Sequence, residues 1–169
     1  MAKINEIPDF PAMWAQVKSD LLDIAETEGE NFFAETFDKK GFTDVVFEPW
    51  QPNHAGTPIL RNTGELWRSV QAFEKNEKRI VFGSDVEYAE YHNEGATIQV
   101  TRKMKKWMWW MYRQTGDTKY KYMALSKKTH FVIPKRQFIG ESKTLLNNIE
   151  NKFKRQLTGA FKNIKIKKL

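Results

Sequence analysis

The stretch from Asp9 to Asp38 constrains the fold of this chain more than any other, because it reads as one long helix. Asp9 supplies an N-cap, and Pro11 suits a first turn, where its missing N–H has no partner to lose. Phe10, Met13, Val17, Leu21 and Ile24 recur at steps of three and four, so one apolar stripe faces a core. Gly29 is the expected point of a bend or break before Phe32, Phe33 and Phe37, and Gly41 the expected stop.

The rest of the 169 residues must supply what this helix packs on. Pro49, Pro52, Gly56 and Pro58 mark residues 42–58 as a loop, with Trp50 as the anchor that packs it down. Thr63 and Gly64 read as a turn or a helix start. Ser69 to Phe73 leads into a strand, Asn76 sits in a polar turn, and Arg79 to Gly83 returns, which makes a β-hairpin. Tyr88 to Gly95 is a short helical turn closed by the glycine, and Ala96 to Val100 alternates as a strand would. Thr101 caps a second helix to about Gln114, ended by Gly116. Asp117 to Thr129 reads as a basic, polar excursion, and Phe131 to Ile133 as a short strand. The last helix runs from about Glu141 to Phe161, with Leu145 or Leu146, Ile149, Phe153, Leu157 and Phe161 in one stripe, and Lys162 to Leu169 is a loosely held tail.

No internal repeat and no low-complexity linker interrupts this order. The expectation is therefore one α+β domain over residues 1–169: a small, mainly antiparallel sheet with a long N-terminal helix (9–38), a central inserted helix and a C-terminal helix packed on it. Its parts are a core at 60–142, a basic Trp-rich insertion at 101–130, and a basic helix and tail at 141–169.

Charge is distributed unevenly along that order. The net +7 is the sum of −7 over residues 1–50, −2 over 51–101, +9 over 102–142 and +7 over 143–169. An acidic half followed by a basic half favours head-to-tail attraction between copies or attraction to an anionic partner; equally, the halves neutralise each other within one monomer. The chain has no cysteine, which excludes a disulfide scaffold, thiolate zinc sites and cysteine catalysis, and points to a reducing compartment. No segment has the apolar length of a signal peptide or a membrane span, so the expected setting is soluble and cytoplasmic.

A search for reaction chemistry returns little. His54, His92 and His130 lack the i, i+4 spacing of a helical metal site. Glu87, Glu90 and Glu94 lie near His92, but acids on a short turn more often cap and solvate than react. Gly83-Ser84-Asp85 lacks the flanking glycines of a nucleophile elbow, and no phosphate-cradling loop occurs. Neither a catalytic residue, a cofactor nor a metal is expected, and the chain is read as non-enzymatic.

The second helix holds the remaining signal. Placed at about 100° per residue, Met104, Trp107, Met108 and Met111 form a core stripe. Trp109 falls about 140° from Met104, among Arg102, Lys105, Lys106 and Arg113, and is left over. These five residues are the candidate partner interface. Trp109 stacks on bases, forms a protein-binding hot spot, or is covered by the excursion after Gly116.

Three blocks in order complete the reading: Ile59-Leu60-Arg61-Asn62-Thr63-Gly64-Glu65-Leu66-Trp67-Arg68-Ser69-Val70; Val81-Phe82-Gly83-Ser84-Asp85-Val86-Glu87-Tyr88-Ala89-Glu90-Tyr91-His92-Asn93-Glu94-Gly95; and Ile133-Pro134-Lys135-Arg136-Gln137-Phe138-Ile139-Gly140-Glu141-Ser142. Together they resemble the phage virion morphogenesis family, the tail-completion proteins of tailed phages and prophages. The matching positions are Thr63, Gly64, Leu66, Ser69, Gly83, Tyr88, Ala89, His92, Gly95, Pro134, Arg136, Phe138 and Gly140, and the blocks span Leu60 to Ser142, about half of the chain. They are mostly folding residues: Leu66, Val70, Val81, Tyr88 and Phe138 suit a core, and Arg136 sits at a rigid corner near Glu87, Glu90 and Glu94, where an ion pair is expected. The acidic first helix and the Trp-rich insertion lie outside the blocks. The resemblance implies a structural protein that completes the tail or joins it to the filled head. Other tail or neck proteins would be its partners, with assembly as a homo-oligomeric ring, first in the host cytoplasm and then in the virion. A nucleic-acid-binding protein using the basic second half is the alternative.

Overall fold

The computed structural model describes residues 9–53 and 58–162, so His54, Gly56 and the tail from Asn163 lie outside the described residues. Among the described residues there are six helices and six short strands, and the chain divides into two compact units, Met1–Ala89 with Gln137–Leu169, and Glu90–Arg136. The strands form three separate two-stranded antiparallel ladders in place of one sheet, and the fold class is α+β.

In the first unit, α1 (Phe10–Lys39) starts as expected, with Asp9 Oδ1 accepting the N–H of Ala12 at 3.1 Å. It runs unbroken through Gly29. That glycine is buried, and a Cβ there would come within 2.7 Å of the Cε1 and Cε2 atoms of Phe82. The missing side chain lets a phenylalanine ring lie against the helix backbone. The helix ends at Lys40, whose φ of 54° makes a left-handed cap and whose N–H returns to Thr36 O.

Gly41 then opens β1 (Gly41–Thr43), which pairs with β2 (Phe47–Pro49). The region expected to be loop thus contains a hairpin, with Pro49 at its end where a missing donor matters little. Its turn holds α6 (Lys143–Lys162) by the N-terminus: Lys143 N donates to Asp44 Oδ1 at 2.7 Å, Thr144 N to Asp44 O at 3.1 Å, and Ser142 Oγ to Thr43 O at 2.7 Å. Ser142 Oγ also accepts the N–H of Leu145 at 3.1 Å, so buried Ser142 acts as the cap. Along α6, Leu145 is buried and Leu146 exposed, with Ile149, Phe153 and Leu157 half-buried; the side chain of Phe161 lies outside the described residues.

Between these helices come α2 (Glu65–Ser69), β3 (Gln71–Lys75) and β4 (Ile80–Gly83). Lys75 opposes Ile80 and Gln71 opposes Gly83, with a bulge between Ala72 and Glu74. Phe82 faces α1, so period-two alternation turns Val81 outward to 39% exposure, against the expectation of a core position. Phe37, Trp50, Leu66, Ala89 and Phe138 form one buried cluster, and Phe33, Phe42 and Leu145 another. The Phe37 ring lies 5.2 Å from Phe138 and meets Trp50 edge-on at 5.6 Å. Trp50 does anchor its loop: its indole N–H donates to Gln137 O at 2.7 Å.

The second unit begins within α3 (Ala89–Asn93) and pairs β5 (Ala96–Gln99) with β6 (His130–Ile133), Ala96 opposite Ile133. Between the two strands, α4 (Arg102–Thr115) and α5 (Thr118–Leu125) pack as a helical hairpin. Thr101 and Gly116 bound α4 as expected, Thr101 Oγ1 accepting Met104 N at 3.2 Å and Gly116 adopting φ +68°. The excursion after Gly116 is mostly helix. Asp117 caps it, accepting Lys119 N at 2.9 Å, and neither glycine nor proline interrupts residues 117–129.

Candidate functional site

Residues of the three sequence blocks meet in the first unit. Leu66, Ala89 and Phe138, one from each block, share the cluster around Phe37. Gly64 takes φ +73° ahead of α2, Thr63 Oγ1 accepts Glu65 N at 3.3 Å, and Thr63 O accepts from the Arg68 guanidinium at 2.8 Å. Ser69 Oγ and Ser84 Oγ are 2.6 Å apart, which ties α2 to the exit of β4 beside Gly83. The sequence places Ser84 in the second block without indicating this partner, because a hydroxyl pair 15 residues apart leaves no local pattern. Gly140 stands in the third block two residues ahead of Ser142.

Tyr88 is 39% exposed and is not a core residue; its hydroxyl donates to Glu65 Oε2 at 2.9 Å, a polar end held at the surface. These residues border an open groove of about 580 Å³ lined by Glu65, Arg68, Ser69, Asp85, Val86, Glu87 and Tyr88. Among the described residues no group of three His, Asp or Glu side chains could hold a metal ion.

In the second unit, Arg136 N donates to His92 O at 2.7 Å, and Gly95, at φ +76°, lets the Lys135 backbone pass where a Cβ would meet Lys135 N at 2.9 Å. Half-buried Pro134 leads into this contact. Arg136 is buried, and burial lowers its pKa. His92 is half-buried; desolvation first, and then the Arg136 charge, hold its pKa below the ordinary 6.5, so its ring is neutral at pH 7. Glu94 pairs with Lys135 at 3.2 Å, while Glu87 and Glu90 are exposed.

The five candidate interface residues do not share one exposed face. Lys105 Nζ donates to Ser126 O at 2.9 Å, and Trp109 is half-buried, edge-on to Tyr112 at 6.1 Å; Arg102, Lys106 and Arg113 are exposed. The covered arc of α4 is centred on Met108 and Tyr112, about a fifth of a turn from the expected stripe. The helix α5, not foreseen from sequence, supplies the cover. Trp107 is consequently outside the core at 52% exposure, and Trp110 stands at 55%. An open groove of about 430 Å³ runs between Lys106, Trp109, Trp110 and Arg113.

Among the described residues no helix is long and apolar enough to cross a membrane. Comparison with models of known families, with curated proteins and with solved structures finds no match to this chain.

Proposed function

We propose that this chain is a non-enzymatic phage structural protein that acts in tail completion or in joining tail to head. One observation supports the reading most: blocks far apart in sequence, ordered as in the virion morphogenesis family, contribute Leu66, Ala89 and Phe138 to a single buried cluster. Residues that fold a scaffold need each other in this way, and residues that merely share a composition do not. In this reading the function belongs to surfaces around that scaffold. Copies associate head to tail into a ring, and other tail or neck proteins bind it, first in the host cytoplasm and then in the virion.

The test is deletion of the gene from the phage or prophage genome that carries it, followed by electron microscopy and infectivity assays. Filled heads and tails that stay separate, or tails of incomplete form, are expected, with rescue by the wild-type gene in trans. Joined, infectious particles at wild-type yield would overturn the reading.

A further inference from the structure

We propose that the exposed face of α4 binds single-stranded nucleic acid, with Trp107 and Trp110 stacking on unpaired bases and Lys103, Lys106 and Arg113 holding the phosphates. The face follows from the helix. At about 100° per residue, Arg113, Lys106, Trp110, Lys103 and Trp107 fall in that order within about a third of a turn; Trp107, at one edge of this face, meets Tyr120 of α5 edge-on at 6.0 Å and still leaves half of its surface open. All five are exposed, the two indoles by 52% and 55%. Lys103 and Trp107, like Lys106 and Trp110, are four apart, and Trp110 and Arg113 three apart, so ring and cation alternate along one surface.

Charge and shape together select the occupant. The helix carries no acid, and no carboxylate among the described residues pairs with Lys103, Lys106 or Arg113. Residues 90–136 as a whole hold 11 Lys and Arg against 3 Asp and Glu. The ligand is therefore anionic. It must also cover two indoles that water solvates poorly, which calls for flat apolar faces repeated along a charged backbone. A duplex buries those faces in its own stack, and an acidic peptide has few of them. The groove between Lys106, Trp110 and Arg113 offers room for a base beside its phosphate.

The test titrates the full chain against a labelled oligothymidylate, its RNA counterpart, a duplex of equal length and polyglutamate, across a range of salt. Binding of the single strands is expected, with quenched tryptophan emission and affinity that falls steeply with salt. W107A and W110A should each weaken single-strand binding by roughly 5- to 150-fold while far-ultraviolet circular dichroism stays unchanged. A triple K103Q/K106Q/R113Q variant keeps both rings and should flatten the logarithmic salt slope by about 2. Equal affinity for the duplex, polyglutamate competing as well as the oligonucleotide, wild-type binding by the tryptophan variants, or no binding would each overturn the proposal. The readout is independent of particle assembly, so either this inference or the proposed function can fail alone.

Discussion

At the scale of single residues, two side-chain environments make quantitative demands. Gly29 faces the Phe82 ring so closely that G29A must push the ring out of place. Alanine gains about 1 kcal/mol of helix propensity, while overpacking costs about 1–3 kcal/mol. A net loss of about 1 kcal/mol is expected in urea unfolding, and a stabilised G29A would show that the ring has room to move. His92 makes a different demand. Its folded pKa lies below 6.5, so as pH falls through 6.5 the unfolded chain takes up a proton that the folded chain does not. Stability from this group is complete above pH 6.5, drops as pH falls, and levels off once the folded ring also titrates. H92Q should flatten that part of the stability–pH curve, and an unchanged slope would assign the acid sensitivity elsewhere.

At the scale of elements, legibility tracked how far each signal reaches along the chain. The caps at Asp9, Thr101 and Gly116 were readable because each acts within about one turn. The hairpin at 41–49 was hidden: three-residue strands are too short to show alternation, and nearby prolines argue for loop. The helix α5 was hidden too, since eight residues dense in lysine and tyrosine show little periodicity. Missing it displaced the reading of α4, which kept its limits but not its buried face. For the candidate site, the residue types were legible and the facing was not: Lys106 and Arg113 are exposed as expected, whereas Trp109 exchanges roles with Trp107. The caps of this helical hairpin also predict its stability. T101A and D117A remove hydrogen bonds of 3.2 and 2.9 Å and should each cost about 0.5–2 kcal/mol. Hydrogen exchange within 102–125 should speed up in both, and unchanged protection would mean that packing alone holds the pair.

At the scale of the whole molecule, charge is the property that pairwise contacts leave unspent. The chain is +16 over residues 102–169 and −7 over residues 1–50. Part of the acidic surface is already engaged, Lys75 bridging Asp23 and Glu26 and Lys152 reaching Glu28, so the remainder is smaller than composition suggests. Head-to-tail association through this asymmetry should be strong at low salt and weaken as salt rises, because exposed charges are screened beyond about 10 Å at moderate ionic strength. Sedimentation across concentration and salt measures it directly. A mass that stays monomeric at low salt would remove self-association from the proposed assembly.

The turn that seats α6 carries a consequence for how the chain comes off the ribosome. Its hydrogen bonds join Thr43 and Asp44 to Ser142 and Lys143, partners 99 residues apart. These contacts of the first unit therefore cannot form until Ser142 and Lys143 have emerged, while residues 90–136, whose ladder and helical hairpin are local, have their partners earlier. Birth order then reverses rank: the intervening piece has all its local partners first, and the seat of α6 waits for residues that emerge after it.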